Sequence, residues 1–80
     1  PIYCIDVYPC AEELQGGGKA VAFREVVRAQ VSAMCATSVH HVSGPDILDD
    51  PSGLTCDLTH PSPAGMERMA ANLARIISEA

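Results

Sequence analysis

The residues best suited to chemistry in this sequence are an aspartate and a histidine three positions apart, Asp57 and His60. A neutral imidazole takes a proton from a hydroxyl more readily when a carboxylate holds its other N–H and stabilises the imidazolium that forms. The spacing lets the two side chains meet across one turn of loop. Pro61 directs His60 toward extended backbone and away from helix. The segment therefore predicts a general base with its orienting carboxylate, and the alternative is an Asx-type turn with a capping histidine and no catalysis.

The residues that follow predict a long amphipathic helix over residues 64–80. Ser62 is expected to cap its N-terminus, and Pro63 stands at the first helical position, which proline favours. The face expected to be buried comprises Met66, Met69, Ala70, Leu73, Ile76 and Ile77. The predicted base thus lies just before a helix N-terminus, where backbone amides disfavour a charged imidazole and the nearby carboxylate favours it.

The beginning of the chain predicts a strand over residues 1–8, which are nearly all apolar and rich in β-formers. Such a run suits a strand covered on both faces, as in a parallel sheet. Asp6 lies near its C-terminal end, where open α/β sheets bind ligands. We expect loop amides to satisfy this carboxylate, with a site-facing Asp6 as the alternative. The segment of residues 10–19 contains a triple glycine, Gly16-Gly17-Gly18, which lacks P-loop or dinucleotide spacing and therefore predicts a flexible loop.

Residues 20–35 predict a second helix, and residues 38–43 predict a second, weaker strand. The helix face expected in the core comprises Phe23, Val26, Val27, Val31 and Met34, while Arg24, Glu25 and Arg28 fall elsewhere. After the strand, Ile47 and Leu48 are expected to anchor a loop that runs to the Asp/His segment.

The order strand, helix, strand, helix predicts an α/β fold with a parallel pair and a helical crossover, residues 1–80 forming a single unit. Two strands with one helix each leave sheet faces and edges uncovered. The chain is therefore expected to be the C-terminal part of a larger domain or to self-associate. The first residue, Pro1, fits a processed N-terminus and a cut end equally well.

Composition excludes some classes of function. A net charge of −5 with no basic cluster argues against nucleic-acid binding. No apolar run approaches the length of a membrane span. We expect a soluble chain, cytoplasmic or secreted.

The four cysteines, Cys4, Cys10, Cys35 and Cys56, include no Cys-x-x-Cys pair. Buried reduced thiols are the favoured prediction, and disulfides stay open as the alternative. A zinc site of Cys56, His60 and either His40 or His41 lacks ligand-pair spacing, and the adjacent histidines point to opposite faces of a strand. We predict no metal and no cofactor.

The block at residues 57–66, Asp-Leu-Thr-His-Pro-Ser-Pro-Ala-Gly-Met, resembles the last conserved block of the SGNH (GDSL-type) esterase and lipase family. Residues 39–48 resemble the strand and loop that precede it. The helix around Phe23-Arg24 and the opening Pro-Ile-Tyr strand also fit. The resemblance covers most of the chain, is specific over residues 57–65 and is loose before residue 36.

By that resemblance the fold is a β-α-β-α piece of a three-layer α/β/α flavodoxin-like sandwich with parallel strands. Asp57 and His60 take the roles of the triad aspartate and histidine. The family's serine nucleophile and the glycine and asparagine of its oxyanion hole lie in N-terminal blocks outside these residues, and the sequence has no Gly-Asp-Ser. Its serines at 38, 43, 52 and 62 occupy no comparable turn. Leu58 stands where many members have glycine.

The resemblance implies the C-terminal segment of a serine esterase that hydrolyses small-molecule esters, acetyl esters or thioesters once an N-terminal segment completes it. Each oxyanion donor is worth about 10²–10³ in rate. We therefore expect the 80 residues alone to lack serine-dependent esterase activity. The alternative is an inactive truncated module that forms homo-oligomers or binds a partner through an exposed sheet edge and apolar faces.

Overall fold

Two short parallel strands organise the fold, which a computed structural model describes for residues 1–79. Strand β1 is Ile2–Ile5 and strand β2 is Val39–Val42, with Ile2 opposite Val39 and Ile5 opposite Val42. Both are shorter than their predicted ranges. The expected parallel pair with a helical crossover is confirmed, and the described residues form a mixed α/β unit of two strands and four helices.

The two long helices begin and end close to where the sequence predicts. Helix α2 is Lys19–Met34, and it ends at Cys35, which has a left-handed φ of 51°. The C-terminal helix, α4, is Pro63–Glu79, and its predicted last residue, Ala80, lies outside the described residues. Ser62 Oγ accepts the N–H of Gly65 at 3.0 Å, so the predicted N-cap is confirmed.

The segment ahead of the triple glycine contains a helical turn that the sequence did not predict. A one-turn helix, α1, forms at Ala11–Leu14. The carboxylate of Glu12 accepts the N–H groups of Lys19 at 2.7 Å and Ala20 at 3.2 Å. These are N-terminal amides of α2, which have no partner inside the helix. The glycine-rich turn is therefore closed by a side-chain cap.

The segment after β2 also contains more helix than predicted. Helix α3 is Gly44–Ile47, and a 3₁₀ turn follows at Pro51–Gly53. Ile47 and Leu48 are buried, which confirms that they anchor this part of the chain. The small apolar core comprises Ala20, Val42, Ile47, Leu48 and Leu54.

The predicted core faces of both long helices are largely exposed. In α2, Phe23, Val26 and Met34 are 59%, 58% and 61% exposed. In α4, Met66 and Ile77 are 57% and 43% exposed. Ala70 is also exposed, and the remaining residues of the two faces, Val27, Val31, Met69, Leu73 and Ile76, are half-buried. The prediction of burial is wrong here because a two-stranded sheet is too narrow to cover either helix.

Candidate functional site

The two predicted site residues are in direct contact. Oδ2 of Asp57 lies 2.7 Å from Nδ1 of His60. An ionised carboxylate accepts hydrogen bonds and donates none, so the ring proton belongs on Nδ1 and Nε2 is left as an acceptor. The side chains of His60 and Asp57 are 74% and 51% exposed, so solvent and solutes reach the imidazole directly. This is the arrangement that a general base requires.

The second carboxylate oxygen of Asp57 has three donors of its own. Oδ1 accepts the hydroxyl of Thr55 at 2.7 Å and the backbone N–H groups of Thr59 at 2.9 Å and His60 at 3.1 Å. The Thr55 hydroxyl, followed by the His60 ring and these two amides, holds the pKa of Asp57 far below its ordinary range. Asp57 is therefore a carboxylate at any pH at which an imidazole acts as a base.

The loop that carries the pair has an unusual backbone conformation at Leu58, whose φ is 55°. This is the left-handed region that glycine adopts without steric cost. The Leu58 N–H donates to the Thr55 carbonyl at 2.9 Å, and the Leu58 carbonyl accepts the N–H of Ala11 at 2.6 Å. The conformation lets one residue bond both inward to its loop and outward to α1.

A second contact ties the loop to the segment after β1. The hydroxyl of Tyr8 donates to the carbonyl of Thr59 at 3.0 Å. This contact could not be predicted from the sequence, because a tyrosine after a strand has no spacing that points to a loop 51 residues away.

The C-terminal side of the pair is held against the start of α4. Thr55 donates its N–H to the His60 carbonyl at 2.7 Å, and Leu54 forms an antiparallel bridge with Pro61. Ser62 donates both its N–H, at 2.8 Å, and its hydroxyl, at 3.0 Å, to the Gly53 carbonyl. The Ser62 hydroxyl therefore serves as a helix cap and a clamp, which leaves it poorly suited to be a nucleophile.

An open cavity of about 480 Å³ lies next to this loop. Thr59 and Tyr8 are part of its wall, together with apolar residues of β1 and both long helices, among them Ile5, Val27 and Met69. Asp6 also lines the cavity, as the site-facing alternative expected, whereas Asp57 and His60 do not. The cavity is thus beside the pair and mostly apolar.

Comparisons of this chain with protein-family models, curated proteins and solved structures found no match to any of them.

A second aspartate–histidine pair lies in the interior. Oδ2 of Asp6, a side chain only 1% exposed, is 2.6 Å from Nε2 of His41. The other oxygen, Oδ1, accepts the N–H of Gly44. A backbone amide satisfies Asp6 as predicted, but it belongs to Gly44, the first residue of α3, and not to a loop. His41 was not foreseen as its partner. The buried carboxylate is bonded on both oxygens and so joins the end of β1 to β2 and to the start of α3.

The remaining candidate ligands lie apart. His40 stacks on Tyr3 with ring centroids 5.2 Å apart, away from His60. All four cysteines are free thiols, and Cys35 and Cys56 are exposed, so the prediction of burial is wrong for these two. Within residues 1–79 no three His, Cys, Asp or Glu side chains cluster as metal ligands. None of the helices described is long and apolar enough to cross a membrane.

Proposed function

We propose that this chain is the C-terminal part of an SGNH-type serine esterase with a flavodoxin-like α/β/α sandwich. In this proposal Asp57 and His60 supply the base of the catalytic triad. The observation that carries it is the 2.7 Å contact between Asp57 Oδ2 and His60 Nδ1, on an imidazole that is 74% exposed. The open two-stranded sheet and the exposed helix faces support the idea that further strands complete the fold.

The proposed chemistry assigns one task to each side chain. Nε2 of His60 takes the proton of a serine hydroxyl as that oxygen attacks the ester carbonyl. Asp57 fixes the tautomer that makes Nε2 an acceptor and stabilises the imidazolium. The imidazolium then returns the proton to the leaving alkoxide or thiolate. The serine and the oxyanion donors come from sequence outside these 80 residues.

The test is ester hydrolysis by the longest natural polypeptide that contains this chain. With p-nitrophenyl acetate as substrate, His60→Gln should lower kcat by about 10³-fold or more. His40→Gln is the matched control, because His40 stacks on Tyr3 and is expected to leave the rate unchanged. Full activity in His60→Gln would refute the proposal.

The 80-residue chain by itself gives a second result. A fluorophosphonate probe, which labels activated serines, should leave it unlabelled, since it has no Gly-Asp-Ser turn. Stoichiometric labelling at any of its serines would contradict the assignment.

Exposed apolar side chains favour a second candidate function for the isolated chain, a non-enzymatic module that associates with itself. Phe23, Val26 and Met66 are each more than half exposed, and each strand has one neighbour and one free edge within the described residues. Apolar surface and free strand edges promote association. Size-exclusion chromatography with light scattering should show an oligomer, and a stable monomer would count against this candidate.

A further inference from the structure

We propose that Thr55 is a positioning residue for the aspartate–histidine pair: its hydroxyl fixes the rotation of the Asp57 carboxylate so that the other oxygen faces His60. The catalytic significance of this role rests on the proposed esterase function. The positioning itself is a property of this chain and is measurable without activity.

The two oxygens of the Asp57 carboxylate bind different partners. Oδ1 of Asp57 receives the Thr55 hydroxyl at 2.7 Å and two amides of its own loop, while Oδ2 has the imidazole at 2.7 Å. The two amides belong to Thr59 and His60, which move with the loop. Thr55 precedes Asp57 by two residues, so its hydroxyl joins the carboxylate to the N-terminal half of the loop, whereas Thr59 and His60 belong to the C-terminal half.

Hydrogen bonds at both of its backbone groups hold Thr55 in place. Its N–H donates to the His60 carbonyl at 2.7 Å, and its carbonyl accepts the N–H of Leu58 at 2.9 Å. Thr55 is half-buried and lies next to Leu54, which belongs to the core. With its backbone held at both groups, Thr55 has only a few χ1 rotamers available, and the one present directs its hydroxyl to Oδ1 of Asp57. The carboxylate it binds loses much of its freedom to rotate about χ2, an angle that is otherwise broad.

The restraint on the Asp57 carboxylate also determines the tautomer of His60. Both Asp57 and His60 are solvent-exposed, and an exposed ion pair of this kind competes with water and with other rotamers. The Nδ1–H tautomer is favoured only while Oδ2 faces Nδ1. Removal of the Thr55 hydroxyl lets the carboxylate turn and water replace the contact, and the ring then returns to the Nε2–H tautomer, which cannot accept a proton at Nε2.

Thr59 provides a matched control two positions beyond Asp57. The Thr59 hydroxyl donates to the main-chain carbonyl of Asp57 at 3.2 Å, and it is the Thr59 backbone N–H that donates to the carboxylate. Thr59→Val therefore removes a hydroxyl of the same kind from the same loop without removing a donor from Oδ1. Thr55→Ser retains the hydroxyl and serves as the rescue variant.

The experiment is ¹⁵N NMR of the imidazole of His60 in the chain at alkaline pH, with amide spectra to show that each variant is folded. Wild type, Thr55→Ser and Thr59→Val should show mainly the Nδ1–H tautomer, and Thr55→Val should show mainly Nε2–H. A Thr55→Val ring that stays Nδ1–H overturns the proposal, as does a loss of this tautomer in Thr55→Ser. If Thr55→Val alone fails to fold, the comparison of Thr55→Ser with Thr55→Ala decides in the same way.

Activity of the longer natural polypeptide separates this proposal from the esterase assignment. Thr55→Val should lower kcat by roughly 10-fold to 100-fold with KM little changed, as expected for a charge-assisted hydrogen bond that acts through the base, and Thr55→Ser should restore it. An unchanged kcat in an active esterase would show that the Thr55 restraint has no catalytic role. Absence of esterase activity in the wild type refutes the proposed function, and the tautomer result still decides the role of Thr55.

Discussion

Asp57 and His60 are joined through Oδ2 and Nδ1 at 2.7 Å, while Thr55 and two backbone amides occupy the opposite oxygen of the same carboxylate. One carboxylate oxygen therefore accepts three hydrogen bonds, and the other contacts the imidazole. A turn that needed Asp57 merely as a cap would be satisfied by Oδ1 alone. The additional contact at Oδ2 orients the ring of a histidine that is open to solvent, and this is what distinguishes the pair from an ordinary Asx turn.

The ionised state of Asp57 predicts a specific response to acid. Hydrogen bonds from Thr55, then from His60, lower the pKa of Asp57 in the folded chain. The stability that the ionised Asp57 carboxylate contributes is therefore fully present above its unfolded pKa of about 3.9. It is lost as the pH falls through the lower folded pKa. Asp57→Asn should therefore flatten the loss of stability in acid, measured as the free energy of unfolding in urea at a series of pH values below about 5. Asp46→Asn, at an exposed aspartate in α3, is the control. Wild-type and Asp57→Asn profiles that run parallel would contradict this expectation.

The left-handed backbone of Leu58 gives the second prediction. Leu58→Ile keeps the side-chain volume but adds a β-branch, which is strongly disfavoured at its φ of 55°. The chain should lose about 1–2 kcal/mol of stability. Amide hydrogen exchange at Thr59 and His60 should become faster, because the loop that carries them opens more often.

Leu58→Asn is the matched variant for this position, since asparagine enters the left-handed region readily. It should retain slow exchange at Thr59 and His60. Equal exchange rates in the isoleucine and asparagine variants would show that the backbone conformation of Leu58 has no part in holding the loop.

Much of the fold could be predicted from local signals. Apolar spacing located both long helices, and the Ser62-Pro63 start signal placed the beginning of α4. The contact between Asp57 and His60 was predictable in so far as a three-residue spacing allows the two side chains to meet across one turn of loop.

The contacts that the sequence did not predict are long-range or depend on what surrounds the chain. Glu12 caps a helix seven residues away, and Tyr8 reaches a carbonyl 51 residues away, so neither leaves a local pattern. Periodicity marks which face of α2 and α4 is apolar, but it does not say whether anything covers that face. Phe23 and Met66 are exposed because a two-stranded sheet is too narrow to cover both long helices.

A bidentate ion pair between Arg24 and Glu13 gives the third prediction. Nη2 of Arg24 donates to Oε1 of Glu13 at 2.7 Å and Nη1 donates to Oε2, while Nε donates to the Val7 carbonyl at 2.6 Å. The hydrogen bond from Arg24 lowers the pKa of Glu13, and the Arg24 side chain is only 14% exposed. Glu13→Gln leaves this guanidinium partly unpaired and should cost about 1–3 kcal/mol in the free energy of unfolding measured in urea.

The pair of Arg28 with Glu25 is the internal control for this change. These side chains make a similar contact at 2.6 Å but are 58% and 60% exposed. Exposed ion pairs contribute little, so Glu25→Gln should leave stability nearly unchanged. If both variants lose the same stability, the low exposure of the Arg24 side chain is not the reason that its ion pair stabilises the fold.

The close approach of Gly65 to Gly53 gives the fourth prediction. A Cβ added at Gly65 would fall on the carbonyl oxygen of Gly53, which also accepts both donors of Ser62. Alanine would favour the helix by about 1 kcal/mol relative to glycine, but the clash is with a fixed backbone group and should cost about 1–3 kcal/mol or more. Gly65→Ala should therefore lower the free energy of unfolding and weaken the clamp that places His60 ahead of α4.

Gly18→Ala adds the same methyl group where no atom lies within 4 Å and should cost at most about 1 kcal/mol, the usual range for an N-cap change. A Gly65→Ala chain at least as stable as wild type would mean that α4 and the 3₁₀ turn separate easily and do not hold the loop of Asp57 and His60 in place.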